Sequence, residues 1–355
     1  MSGNTYSNPA NRNITYAGEF LAYAMPVEVL GRVGVSSKKP IPKNNTDTIT
    51  FRRWLPKGAS TANPNTWNVD PAAHRLTEGE TPNADQMAVQ DIQAQLSEYG
   101  VLYRFTNRAV DMHEDGARLP MAMKRMVGER MGLVLEKIRW GQLKAGTNVY
   151  RAGNVASRAL INTQISGNML RNIARGLMTN RASHVTRILS GSPNQETSPI
   201  EASFIVACHT NLASDIRSQL ADFVPLAKYG TRNAIHEKEL GSWEEFRFVV
   251  SPELDPYLAV GATATANTRL SNGIPNSAGT ELCDVYPFVV MTEECYGDVI
   301  LRGKDAISAT VIMPGEKDKT DPLGQRGVCG ASTYFTAVRL NEQHMAIGEC
   351  AVSSL

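Results

Sequence analysis

The strongest hydrophobic period in the chain lies between Leu119 and Leu143. Leu119, Met123, Met126, Val127, Met131, Val134, Leu135 and Ile138 recur at steps of three and four, with Gln142 in register. That spacing predicts an amphipathic helix with one apolar stripe. Lys124, Arg125, Glu129, Arg130, Glu136, Lys137 and Arg139 are expected on the opposite, solvent-facing side. At 1.5 Å per residue the helix would be about 37 Å long, well above the globular mean. Pro120 falls in the first turn, where a missing N–H costs little, and Ala145-Gly146-Thr147 supplies a glycine stop. A second helical pattern runs through Ile165, Met169, Ile173 and Leu177, with Ser166 as its cap.

Period-two signals flank these helices. Thr48-Ile49-Thr50-Phe51-Arg52-Arg53-Trp54 alternates and is rich in β-branched and aromatic residues, so it predicts a strand. A Pro- and Asn-rich polar loop follows from about Lys57 to Asp85, and a second extended stretch runs from Met87 through Leu102-Tyr103-Arg104-Phe105-Thr106. Two strands separated by so long an excursion predict a projecting hairpin. After a polar break from Ser190 to Pro199, Phe204–Cys208, Glu245–Val250 and Tyr286–Met291 read as strands and Asn211–Leu220 as a helix. Residues 259–280, nearly all small or polar, are expected to form a loop, and Ser332–Leu340 and His344–Val352 alternate again. The fold class is therefore α+β, with no internal repeat.

The first 45 residues differ from the rest, being rich in Asn, Ser and Pro and ending in Ser36-Ser37-Lys38-Lys39-Pro40-Ile41-Pro42-Lys43-Asn44-Asn45. Phe20–Met25 interrupts them as a possible helical turn, and the prolines beside Ile41 hold the backbone extended. Such a segment buries too little surface to fold alone and is expected to lie across something else as an arm.

Composition narrows the function. The 355 residues include 36 Lys and Arg against 35 Asp and Glu, a net charge of +1, so a chain-wide phosphate grip is not expected. No apolar run approaches a membrane span, and the opening residues lack a signal-peptide pattern, which predicts a soluble protein made in a cytoplasm with no membrane partner. Five widely spaced cysteines, Cys208, Cys283, Cys295, Cys329 and Cys350, fit neither a disulfide framework nor a zinc site and are expected to be buried thiols. Phosphate-loop, HExxH, GxSxG and GxGxxG patterns are all missing, so no cofactor or metal is expected. Cys208 and His209 are adjacent on a strand and would point to opposite faces, which disfavours a nucleophile–base pair. Glu78, Glu80 and Asp85 are expected on a solvated loop or in salt bridges between subunits rather than in acid–base catalysis.

Several motifs, in order, resemble the major capsid proteins of the phage N4 type. They are Gly31-Arg32, Lys39-Pro40-Ile41-Pro42-Lys43-Asn44-Asn45, Thr48–Arg53, Leu76-Thr77-Glu78-Gly79-Glu80-Thr81-Pro82 with Leu96–Gly100, and Asp321–Gly327 with Thr333–Asn341. Gly241–Arg247 matches a middle segment more loosely. The resemblance implies a Hong Kong 97-type phage capsid fold: an N-terminal arm (1–45), an extended β-hairpin loop (46–105), a peripheral domain with a long spine helix (106–199), an axial domain (200–322) and a C-terminal return to the peripheral domain (323–355). It also implies a non-enzymatic shell subunit of the virion, assembled in a bacterial host cytoplasm. Expected partners are copies of itself as hexamers and pentamers, a scaffolding protein, a portal, a decoration protein, and double-stranded DNA held weakly. Lys39, Pro40, Pro42, Arg52, Arg53, Trp54, Glu78, Glu80 and Arg326 are the expected intersubunit contacts. No long helical leader precedes the arm, so scaffolding is expected from a separate protein. Lys38, Lys39, Lys43 and Lys57 sit where a covalent cross-link could begin, but nothing marks their partner. The alternatives are an encapsulin-like shell around protein cargo, an enzyme using a pocket of the α/β domain, and a tail or decoration protein. Packaged nucleic acid, ligand-dependent stabilisation and failure to form a shell alone would respectively separate them.

Overall fold

The computed structural model describes residues 28–33, 36–42, 46–55, 70–76, 78–79, 87–112, 119–189, 197–230, 234–264, 282–293, 295–301, 308–315, 317 and 321–353. Phe20–Met25, Glu80, Lys43, Lys57, and most of the 57–85 and 259–280 loops lie outside them. In chain order the elements are α1 (Leu30–Val33), β1 (Ser36–Ile41), β2 (Thr48–Leu55), β3 (Ala88–Gln95), β4 (Ser97–Thr106), α2 (Asn107–Met112), α3 (Leu119–Leu143), β5 (Val149–Arg151), α4 (Gly167–Thr179), β6 (Val185–Leu189) and β7 (Thr197–His209). There follow α5 (Leu212–Gln219), β8 (Val224–Pro225), β9 (Glu239–Trp243), β10 (Phe246–Ser251), β11 (Tyr286–Met291), β12 (Tyr296–Leu301), β13 (Ser308–Ile312), β14 (Arg326–Arg339) and β15 (Met345–Cys350).

Two sheets and a ribbon organise these elements. The larger sheet runs β5-β15-β11-β7-β10-β9-β8, with β6 also on β7. Strand β7 is buried on both faces: Phe204, Val206 and Cys208 face α4 and α5, and Ile205 and Ala207 face the opposite way. Ser166 caps α4, its side chain accepting from the Met169 N–H, and Met169, Leu170, Ile173 and Leu177 give that helix its buried stripe. The smaller sheet runs β1-β12-β14-β13, and β4 also pairs along β14. Among the described residues strands β2 and β3 pair with each other alone, from Thr48 opposite Gln95 to Leu55 opposite Ala88. The extended stretch expected from Met87 to Thr106 is thus divided at Leu96, with β3 on β2 and β4 on β14. Each sheet draws on segments from both sides of the expected boundary at residue 322: β12 and β13 join β14, while β11 joins β15.

Helix α3 connects the layers. Val127 and Met131 pack on Ala309, Cys329 and Ala331 of the smaller sheet, and Leu135 packs on Phe335 and Ala337. One turn further, Trp140 and Leu143 enter the core under the larger sheet with Ile205, Val289 and Met291. The stripe expected from the sequence holds at Val127, Met131 and Leu135, but Met126 is 51% exposed. Glu136 and Arg139, expected on the solvent side, are buried. The reason is geometric. Each i+4 step carries a row about 40° around the axis, so the buried face winds as the helix passes from one sheet to the next.

Candidate assembly interface

The β2–β3 ribbon sorts the expected contact residues by strand alternation. Ile49, Phe51, Arg53 and Leu55 turn inward, and Ile49 and Phe51 pack with Ala94 on Ile41 and Val299. Thr50, Arg52 and Trp54 turn outward. Arg52 meets its cross-strand neighbour Asp91 through two hydrogen bonds of 2.9 Å, which hold the Asp91 carboxyl below its usual range. Directly beside it, Trp54 faces Val89 across the strands, 60% exposed, and Met87 is also exposed. The outer face therefore carries an ion pair satisfied within the chain next to an apolar patch left wet. A two-stranded ribbon with one wet apolar face is marginal by itself.

Arg53 points the other way, into a groove of about 770 Å³ between ribbon and body, where Ser183, Glu293, Asn341 and His344 also line the wall. Burial lowers the Arg53 and His344 pKa values, and their proximity adds to the effect on His344. Pro40 and Pro42 are exposed on either side of buried Ile41, whose strand runs parallel to β12 and joins the root of the ribbon. Lys39 lies in β1 opposite Val299. Glu78 is exposed in a turn beside Gly79, which adopts φ +83°. Arg326 opens β14 opposite Thr106, its N–H donating to Asp321 Oδ2 at 2.7 Å, and is not part of the ribbon. Arg52, Trp54 and the extended Pro40–Pro42 segment thus share the ribbon region, and Arg326 belongs to the start of β14.

A group of charges absent from the sequence expectation lies inside. Glu136 Oε1 accepts hydrogen bonds from the backbone N–H groups of Val29 and Leu30, at 3.1 and 2.8 Å. Arg139 Nε donates to Asp298 Oδ2 at 3.1 Å, and its Nη1 stands 3.6 Å from Glu28 and 3.8 Å from Glu136 Oε2. The guanidinium also lies 4.9 Å over the Phe335 ring, and Tyr296 donates its hydroxyl to the Leu30 carbonyl. Three carboxylates surround one cation. Burial accordingly pushes the Glu136 carboxyl up to about 7, against the opposing pull of Arg139. A Cβ at Gly31 would stand 2.6 Å from Arg139 Nη1, so the chain before β1 closes over the guanidinium only because that residue is glycine. The cluster ties residues 28–31, α3 and β12 together. The sequence signal available for it was weak: an i,i+3 Glu–Arg pair in a helix ordinarily reads as a solvated face.

The enzyme-like candidates come apart. Cys208 is buried and its thiol is pushed up to about 12 by burial, while His209 Nδ1 accepts the Asn211 N–H at 3.0 Å. All five cysteines are buried, and none is in a disulfide. Among the described residues no group of His, Cys, Asp and Glu has a metal-binding arrangement, and no helix is long and apolar enough to cross a membrane.

The same architecture recurs in solved structures. The capsid of Ralstonia phage GP4 superposes with a TM-score of 0.60 over 92% of this chain and 89% of its own, at 10% identity. The capsid subunit of cyanophage Pam1 gives 0.56 over 94% and 93%, at 13% identity. The chain has a phage capsid fold. In sequence it is similar to the major capsid protein of Pseudomonas phage KPP21, 21% identical over 257 residues. That match takes in 69% of this chain and spans 63% of the relative's length. No family model matches the sequence.

Proposed function

We propose that this chain is the major capsid protein of a tailed bacteriophage, a non-enzymatic subunit that assembles with copies of itself into an icosahedral head around double-stranded DNA. The observation that carries the reading is the phage capsid fold joined to a ribbon whose outer face, Trp54 with Val89 and Met87, is exposed among the described residues. The finer assignment is of the phage N4 type with Hong Kong 97-type parts. In it residues 1–45 serve as arm, 46–105 as extended loop, α3 as spine, 106–199 and 323–355 as peripheral domain and 200–322 as axial domain.

Assembly follows from what each subunit leaves wet. The ribbon lies on a neighbour and buries apolar surface that a monomer exposes, worth about 25 cal/mol per Å². Heterologous contacts between axial domains close into rings of five and six. Each contact is small, and several per subunit acting together hold the shell. Arg52, Arg53 and Trp54 act at the ribbon, Lys39, Pro40 and Pro42 at its root, Glu78 and Glu80 in the loop, and Arg326 at the start of β14. A scaffolding protein and a portal direct closure in the host cytoplasm, a decoration protein adds to the finished surface, and the product is the virion.

The test is electron microscopy of sedimented material from cells making this chain with its scaffolding protein. Closed icosahedral particles with this chain as the dominant band are expected. Small soluble oligomers despite a competent scaffold would overturn the reading, and closed shells that carry protein cargo and never nucleic acid would replace it with a cargo compartment.

A further inference from the structure

The near-zero net charge conceals a strong separation along the chain. Residues 119–195 hold twelve Lys and Arg against two Asp and Glu, which leaves 24 against 33 for the rest of the 36 and 35. Between Lys137 and Gln195 there is no acidic residue at all. Folding neutralises part of this excess. Arg139 enters the buried cluster, Arg151 and Arg158 share the buried Glu349, and Arg171 meets Glu244 at 2.6 Å.

Of the rest, Arg175 shares one groove with Arg151 and Arg171, whose carboxylate partners lie outside its wall. Helix α4 and the turn after β5 enclose a groove of about 760 Å³ walled by Arg151, Asn154, Asn168, Arg171, Asn172 and Arg175. Among the described residues no acidic side chain lines it. Arg175 donates to Asn172 Oδ1 at 2.7 Å and makes no ion pair among the described residues. Arg171 and Arg175 stand one helical turn apart, about 6 Å along the axis. Cationic and amide donors are the side chains that meet nucleic-acid phosphates, and such contacts position a duplex without reading its sequence. Each strand of a duplex presents one phosphate per 3.4 Å of helix axis, so two guanidinium groups about 6 Å apart can each meet a different phosphate, Arg171 by exchanging its exposed Glu244 partner. A subunit contact has a different signature, a desolvated apolar centre. None of the large apolar side chains exposed on the subunit lines the groove.

We infer that the α4–β5 groove is where the shell wall touches the phosphate backbone of the packaged DNA, an inference that rests on the capsid reading above. The contact is local, weak and independent of sequence, as a container requires if its contents are to be packed tightly and released again. It also reconciles a balanced chain with an anionic cargo, because the basic residues are gathered rather than numerous.

The test uses the full-length subunit and a 30-base-pair duplex of random sequence, followed by fluorescence anisotropy across a salt series. The double variant Arg171→Gln/Arg175→Gln is expected to bind about tenfold more weakly at 50 mM salt. Its slope of log affinity against log salt should fall by about 1.8, the value for two lost phosphate contacts. Arg125→Gln/Arg130→Gln, which removes the same charge from the exposed side of α3, should bind as the parent does. Equal weakening by both pairs would reduce the effect to bulk charge and overturn the assignment. So would unchanged duplex binding by the groove variant, including the case where that variant instead fails to form shells, which would make the groove a subunit contact. Arg175→Gln alone, which spares the Arg171–Glu244 pair, should lose about one unit of salt slope and guards against a folding artefact. Loss of duplex binding by the groove variant in a chain that never forms shells would retain the anion groove while removing the capsid reading.

Discussion

At the scale of single residues, Glu136 makes the subunit sensitive to pH in an unusual direction. Its folded pKa of about 7 lies above the ordinary value of 4.5, so the folded state holds the proton more tightly than the unfolded one. The group therefore favours folding below about pH 4.5, and that contribution is lost as pH rises through 7. That difference in pKa corresponds to about 3 kcal/mol at most. Denaturant titrations of the unassembled chain at pH 5.5 and 8.5 are expected to show lower stability at the higher pH, with Glu136→Gln removing most of the difference. An unchanged slope in the variant would mean that other groups carry it. Arg139→Met should be far more damaging, at about 3–5 kcal/mol, because it leaves the surrounding carboxylates without their cation.

At the scale of elements, the ribbon and the long helix fail in different ways. Trp54 is mostly exposed in the subunit, so Trp54→Ser should change subunit stability by less than about 0.5 kcal/mol while sharply lowering the yield of sedimenting shells. Met131 is fully buried between α3 and the smaller sheet, and Met131→Ala should cost about 2–5 kcal/mol before assembly is reached. A thermal melt beside a sedimentation profile separates the two effects. Helices α3 and α4 were legible from the sequence because their buried positions repeat at helical spacing, as was β2 from its alternation. Leu96 concealed the break between β3 and β4, because an apolar residue continues an extended pattern without marking a change of partner. Arg52, Arg53 and Trp54 were expected alike at subunit contacts, and strand alternation separates them, turning Arg52 and Trp54 outward and Arg53 inward. The Glu28–Glu136–Arg139–Asp298 cluster was not legible, because a hydrophobic pattern assigns every charge to solvent and two of the cation's partners, Glu28 and Asp298, lie more than a hundred residues away. The charge separation that builds the α4 groove was present in the sequence and hidden by its total.

At the scale of the molecule, α3 gives the two sheets one common strut, and the cluster at its middle ties in the segment that precedes β1. A displacement of α3 against the smaller sheet must therefore strain Glu136 and Arg139, and with them the chain leading to the arm. The late strands β14 and β15 occupy the interior of the two sheets: β14 has β4, β13 and β12 as partners, and β15 lies between β5 and β11. A ribosome that has completed residue 325 has thus released a chain whose two sheets both lack a central strand. Pairings so distant in sequence form slowly and leave apolar surface open in the interval. A chain ending at residue 325 should be digested rapidly by protease under conditions where the full chain resists, which a timed proteolysis series would show. On the shell reading, synthesis would be its own inspection: a chain broken off before β14 would lack an interior strand of each sheet and with it a finished face to offer a lattice.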